Sequence, residues 1–159
     1  MASTCNYKLI SHRGNLEGPN PEHENSPRYV MDTINRGFEC EVDVWKVGDT
    51  FYLGHDTAQY PITLDFLRDE RLWCHAKNTE ALEALLQYRN IHCFWHEEDQ
   101  YTITSKGYIW AYPGSPLTPN SICVMPEVKA VEKWAATLHK GVCSDYILTY
   151  DTTIHPRFI

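Results

Sequence analysis

Two carboxylates, Glu41 and Asp43, stand two residues apart in the run Phe38–Val47, where acidic and apolar residues alternate. On an extended strand that spacing puts both side chains on one face, and Cys40, Val42 and Val44 on the other. Two carboxylates so placed can share one hard divalent cation, which would also relieve their mutual repulsion. A solvated face of an edge strand gives the same alternation, so the pair needs partners before it means a metal site.

Three other places offer partners. His75 and Lys77 repeat the two-residue spacing: an imidazole can ligate the ion and the lysine can meet a phosphate oxygen as a point charge, although an exposed histidine and lysine at a helix entry read the same way. His12 and His55 each follow a short apolar run, one beside Arg13 and the other beside Asp56. Histidine titrates near neutrality, so such a pair can give a proton to a leaving oxygen and take one from a nucleophile. With eight histidines in the chain, a pair also arises by chance. The Arg13 guanidinium suits a non-bridging phosphate oxygen.

These residues must be positioned by regular elements. Apolar runs at 8–11, 38–47, 50–53, 71–75, 91–95, 108–112, 122–125 and 142–144 read as strands. Helices are expected at 27–36 behind the Ser26-Pro27 start, at 63–68 behind Thr63, after Asn78 with Leu82, Leu85 and Leu86 on one side, and at 127–139 with Val128, Val131, Trp134, Ala135 and Leu138 inward. No helix fits between the runs ending at Trp95 and beginning at Tyr108. Strands alternating with helices, and polar residues at strand C-terminal ends, predict an α/β fold with a mainly parallel sheet. A full (β/α) barrel normally needs at least about 200 residues, so the expected form is a reduced or compressed TIM-type barrel lacking one or more helices, as a single domain over residues 1–159.

Acidic residues outnumber Lys and Arg by 21 to 14, for a formal charge of -7, and no basic run is present; this argues against nucleic acid as a partner. Six cysteines form no C-x-x-C pair, and Cys40, Cys74, Cys93 and Cys123 fall in apolar segments, as reduced core residues do. The sequence contains neither a signal-like N-terminal run nor 18 consecutive apolar residues, which makes a cytoplasmic protein with no membrane span the expectation.

The residues His12-Arg13-Gly14, then Glu24-Asn25, then Gly37 through Asp43, then Gly54-His55-Asp56, occur in the order and near the spacing of a known pattern. Over residues 9–56 the chain resembles the glycerophosphodiester phosphodiesterase family, within the PLC-like phosphodiesterases. The resemblance implies a PLC-like barrel, with His12 and His55 as the acid–base pair and Glu41 and Asp43 as metal ligands. It further implies that Arg13 contacts phosphate and that Glu24 and Asn25 line or brace the first loop. His75-Ala76-Lys77 falls where the family has Glu-x-Lys, so Lys77 matches its phosphate-facing lysine and His75 replaces a carboxylate ligand. One divalent ion is implied, magnesium or calcium by family, with manganese, cobalt or zinc brought in by the nitrogen donor. The segment Gly141 through Tyr146 is similar to the family's closing strand, and Trp110 would be a rim aromatic that meets substrate. The implied substrate is a small phosphodiester. The rival readings are a non-catalytic phosphate or phospholipid-headgroup binding module and a structural subunit on a degenerate barrel, a homodimer joined through Trp95, Trp110 and Tyr112.

Overall fold

The computed structural model describes residues 6–153. In chain order the elements are β1 (Lys8–His12), α1 (Pro27–Asn35), β2 (Glu39–Val47), β3 (Thr50–Leu53), β4 (Tyr60–Ile62), α2 (Leu64–Leu67), β5 (Leu72–Ala76), α3 (Thr79–Leu86), β6 (Cys93–Phe94), β7 (Tyr101–Ile103), β8 (Ile109–Ala111), β9 (Ser121–Val124), β10 (Gly141–Ser144) and α4 (Ile147–Thr153). Helix starts follow the capping chemistry: the Ser26, Thr63 and Asn78 side chains accept hydrogen bonds from the backbone N–H groups of Tyr29, Phe66 and Ala81.

One curled sheet organises the chain. β1 pairs in parallel with both β2 and β10, β2 with β5, β5 with β6, β10 with β9 and β9 with β8. The first strand therefore lies beside the last, and the parallel strands follow one another around the sheet in chain order, as in a (β/α) barrel. Two antiparallel additions complete it: β3 and β4 extend from the far half of β2, and β7 folds back on β8. The barrel is half open, because among the described residues β6 has a strand ladder only with β5.

Hydroxyl groups span that seam. Thr102 Oγ1 donates to the Trp95 carbonyl at 2.7 Å and Ser105 Oγ to the Ile91 carbonyl at 3.2 Å, while Ser105 Oγ accepts from the Cys93 N–H at 2.9 Å. Within the seam His92 Nε2 lies 2.7 Å from Thr104 Oγ1 and its ring packs on Trp73. Burial, aided by the Lys106 and Lys8 charges, pushes the His92 pKa down to about 3. Folded His92 is thus neutral across a range where the unfolded chain protonates it below about 6.5. The His92 contribution to stability is expected to be level above pH 6.5 and to fall as pH drops toward 3, by up to about 1.4 kcal/mol per pH unit. Urea midpoints of wild type and His92→Gln compared at pH 7.5 and pH 5 check it; equal slopes for the two proteins contradict it.

Side-chain alternation divides the interior into two layers. Val30, Ile34, Leu67, Ala81 and Leu85 from the helices pack on Cys40, Val42, Val44 and Cys74 at the outer face of β2 and β5. Ile10, Trp73, Phe94, Trp110, Ile122, Val124 and Cys143, drawn from six strands, fill the concave side. The five cysteines among the described residues are buried and unpaired, as their apolar settings predict; Cys5 lies outside those residues.

The helix expected over 127–139 does not form. That stretch is turns with one 3-10 turn at Trp134–Ala136, and Lys133 before it and Met125 have positive φ. Val128 and Leu138 are 70% and 64% exposed, so the apolar spacing has no face to bury. The outer face of β1 and β10 is instead covered by α4, through Ile147 and Leu148 against Leu9 and Val142. No helix among the described residues is long and apolar enough to cross a membrane.

Candidate metal centre and its cavity

The concave apolar layer fixes the layer above it, since residues two positions on share a strand face. Past Ile10 comes His12, past Trp73 His75, past Phe94 His96, past Trp110 Tyr112 and past Cys143 Asp145. β2 alone is acidic along this face, and its register sets Glu41 beside His12 and Asp43 beside His75. Oily floor and polar mouth are one alternation read at two heights.

Glu41 and Asp43 are 2% and 1% exposed. His75 Nδ1 lies 3.3 Å from Asp43 Oδ1 and 3.7 Å from Glu41 Oε1. One ligand atom from each of the three lies within 4.8 Å of the others, close to the limit of about 4.6 Å for ligands on opposite sides of one ion with bonds near 2.3 Å. His75 Nε2 is 2.9 Å from the His96 carbonyl, which can only accept, so this nitrogen carries the proton and Nδ1 is the coordinating atom once the ring is neutral. Burial opposes charge on His75, but the two carboxylates outweigh it and raise its pKa to about 9. Glu41 Oε2 and Asp43 Oδ1 are buried and accept no hydrogen bond. Buried carboxylate oxygens left without a donor are costly, and a cation at this point satisfies them. The donor set therefore fits a divalent ion.

The neighbours hold the ligands still. Asn25 Nδ2 donates to Asp43 Oδ2 at 2.9 Å while its Oδ1 accepts from the Asp43 backbone N–H at 2.9 Å. Arg13 Nε is 3.1 Å from Asp43 Oδ2, and its Nη1 is 3.2 Å from Glu24. Burial raises the Asp43 pKa, but His75, Arg13 and Asn25 overcome it and hold the carboxyl well below the usual range. Arg13 and Asn25 both adopt positive φ, at 60° and 67°. That strain is fixed by backbone bonds from Arg13 N–H to the Glu41 carbonyl and from Asn25 N–H to the Arg13 carbonyl. Gly14 follows Arg13 at φ 96°, where a Cβ would lie 2.4 Å from Tyr29. Asn25→Gly keeps the backbone conformation and removes the clamp, so cation affinity is expected to fall about 10–100-fold with the fold intact. Calorimetric titration with manganese measures it; unchanged affinity contradicts the clamp.

His12 is held in the same way. Its Nδ1 is 2.7 Å from Asp145 Oδ1, which also accepts from Asn15 Nδ2 at 2.8 Å, and Tyr29 Oη donates to Asn15 Oδ1. Burial lowers the His12 pKa, but Asp145 and Glu41 raise it to a net value above the ordinary one. His12 Nε2 points toward the metal ligands, 3.7 Å from Glu41 Oε2.

No family model, curated protein or solved structure matches the chain. Its own geometry carries the functional reading: a half-open α/β barrel with a buried Glu/Asp/His cluster at metal-ligand spacing.

A cavity of about 410 Å³ opens above the cluster, lined by His12, Arg13, His55, His75, Lys77 and His96 among others. The structure thus places His12, Arg13, Glu41, His55, His75, Lys77 and Trp110 around this cavity, while Glu24 and Asn25 line a neighbouring one with Arg13 and His55. The His55 side chain is 44% exposed on the turn after β3, where its Nδ1 lies 2.8 Å from the exposed Asp56. A Cβ on Gly54 would lie 2.0 Å from the Thr57 carbonyl, so this tight turn needs glycine. Glu24 braces Arg13 and the Asn20 N–H. Trp110 is no rim aromatic: it is 4% exposed, wedged against Phe94 and Trp73, and its edge forms part of the cavity floor. The exposed aromatic at the mouth is Tyr112, so Trp110 offers no surface to a second copy either. Spacing in the sequence passes over Asp145, Asn15 and His96; for Asp145 and His96 the signal is a polar residue just beyond an apolar strand, and for Asn15 no such signal exists.

Proposed function

We propose that the chain is a metal-dependent phosphoric diester hydrolase that acts on small glycerophosphodiester-type substrates, releasing an alcohol and a phosphomonoester. The observation that carries this reading is the convergence in one cavity of the Glu41/Asp43/His75 cluster, the His12–Asp145 pair and the cations Arg13 and Lys77. A divalent ion at the cluster supplies Lewis acidity toward the phosphoryl oxygens. Arg13 and Lys77 gather the negative charge that these oxygens develop. Asp145 accepts a hydrogen bond from the Nδ1–H of His12, so Nε2 is the atom that exchanges a proton with the substrate. His55, at the other edge of the cavity, is the second acid–base group. Attack by water gives the products directly; attack by a neighbouring substrate hydroxyl passes through a cyclic phosphate.

A phosphate-binding module has no use for an imidazole oriented by a buried carboxylate, so the His12–Asp145–Asn15 chain of hydrogen bonds favours catalysis over binding. Turnover of glycerophosphodiesters and bis(p-nitrophenyl) phosphate, with magnesium, calcium, manganese, cobalt and zinc supplied separately, tests the reading. Metal-dependent release of alcohol supports it. Silence from folded, metal-loaded protein over the whole panel overturns it.

A further inference from the structure

We propose that His96 is a specificity residue of this cavity, receiving the alcohol substituent of the bound ester through Nε2. The inference rests on the phosphodiester reading above and adds a residue outside the acid–base pair and the metal cluster.

His96 stands three strands around the barrel from His12, two residues beyond the floor residue Phe94, and lines the same cavity. Its ring is built into place. Nδ1 is 2.9 Å from Asp99 Oδ2, while Asp99 Oδ1 accepts the Glu97 N–H at 3.1 Å and so closes the 96–99 turn. The ring lies against Tyr112 at 5.7 Å between centroids, and its side chain is 13% exposed. With Nδ1 engaged by Asp99, Nε2 is the ring's remaining polar atom.

Charge decides which part of the ester belongs here. The anionic phosphoryl group is drawn to Arg13 and Lys77. Beside His96 the cavity wall carries Glu97, and Glu98 and Asp99 follow it in the same turn, so this edge repels an anion. A hydrogen-bonding imidazole beside Tyr112, in an acidic wall, suits a neutral or cationic alcohol and disfavours an anionic one. The His96 backbone carbonyl also fixes His75, a contact that survives any change of side chain; the two rings lie 6.1 Å apart between centroids, which makes manganese affinity the necessary control.

The test uses His12→Ala protein, in which turnover is strongly lowered, loaded with manganese and titrated calorimetrically with two probes, glycerophosphoethanolamine, whose alcohol carries a donor for Nε2, and inorganic phosphate. Adding His96→Ala is expected to weaken the diester about tenfold, the worth of one lost hydrogen bond, and to leave inorganic phosphate and manganese affinities within about twofold. His96→Gln should recover part of the loss, and Asp99→Asn should reproduce part of it. Equal weakening of both probes, or weakened manganese binding, assigns His96 to the phosphoryl or metal side and overturns the inference, as does diester binding unchanged by His96→Ala. If the His12→Ala protein binds manganese but neither probe, the parent reading falls and this one with it.

Discussion

Asp43→Asn is expected to lower divalent-cation affinity by at least about 100-fold and metal-dependent turnover by about 1,000-fold or more. Asp43 is 1% exposed and its Oδ2 is already committed to Asn25 and Arg13. Only Oδ1 is left without a donor, at 3.3 Å from His75 Nδ1. An amide at this place keeps the shape and loses the charge that balances the ion, and one of its two ends must present N–H groups to His75 or to Arg13. Glu41→Gln removes the other carboxylate and should act in the same direction, while Lys77→Ala, outside the cluster, should leave cation affinity within a few-fold. Calorimetry for the ion and initial rates for turnover check both halves. Cation binding by Asp43→Asn at wild-type strength means that the ion, if any, sits elsewhere.

His12→Ala carries the second large effect, and it separates chemistry from metal binding. Loss of a positioned acid–base group is expected to cost about 100- to 10,000-fold in turnover, with cation affinity within a few-fold of wild type because His12 is not one of the three clustered ligands. Asp145→Asn should lose activity as well, since an amide does not hold the Nδ1–H tautomer as a carboxylate does. Asn15→Ala leaves the carboxylate and removes one of its two hydrogen bonds, so a smaller loss follows. This order of severity, His12 above Asp145 above Asn15, is measured by steady-state rates at saturating manganese. A His12→Ala protein that turns over normally contradicts the assignment.

The spacing of single residues made much of this legible, and its limits are physical. Strand alternation places Glu41 and Asp43 on one face from sequence alone, and the side-chain caps at Ser26, Thr63 and Asn78 announce three helices whose starts the structure reproduces. The parallel barrel plan follows from the order of those elements. Residues that meet through the fold rather than along the chain stay hidden. Asp145 reaches His12 across 133 positions because β10 closes beside β1, a pairing that no local pattern encodes. Amphipathic spacing at 127–139 misleads because its apolar residues have no surface to cover once α4 occupies β1 and β10. The short strands β4 and β7 carry too few residues for a period to register, and Pro61 within β4 reads as a strand breaker although an edge strand tolerates it. Trp110 reads as a rim residue because aromatic side chains suit floor and rim alike; only its packing against Phe94 and Trp73 separates the two.

The most direct measurement is a calorimetric titration of wild-type protein with manganese in two buffers of different ionisation enthalpy. The metal-free cluster holds a proton on His75, whose pKa is raised to about 9 by Glu41 and Asp43; the ion displaces that proton. One ion bound per chain, with release of close to one proton at pH 7 and affinity that rises with pH until about 9, is the predicted result. No saturable binding, or binding that Asp43→Asn leaves untouched, contradicts a metal centre at Glu41, Asp43 and His75.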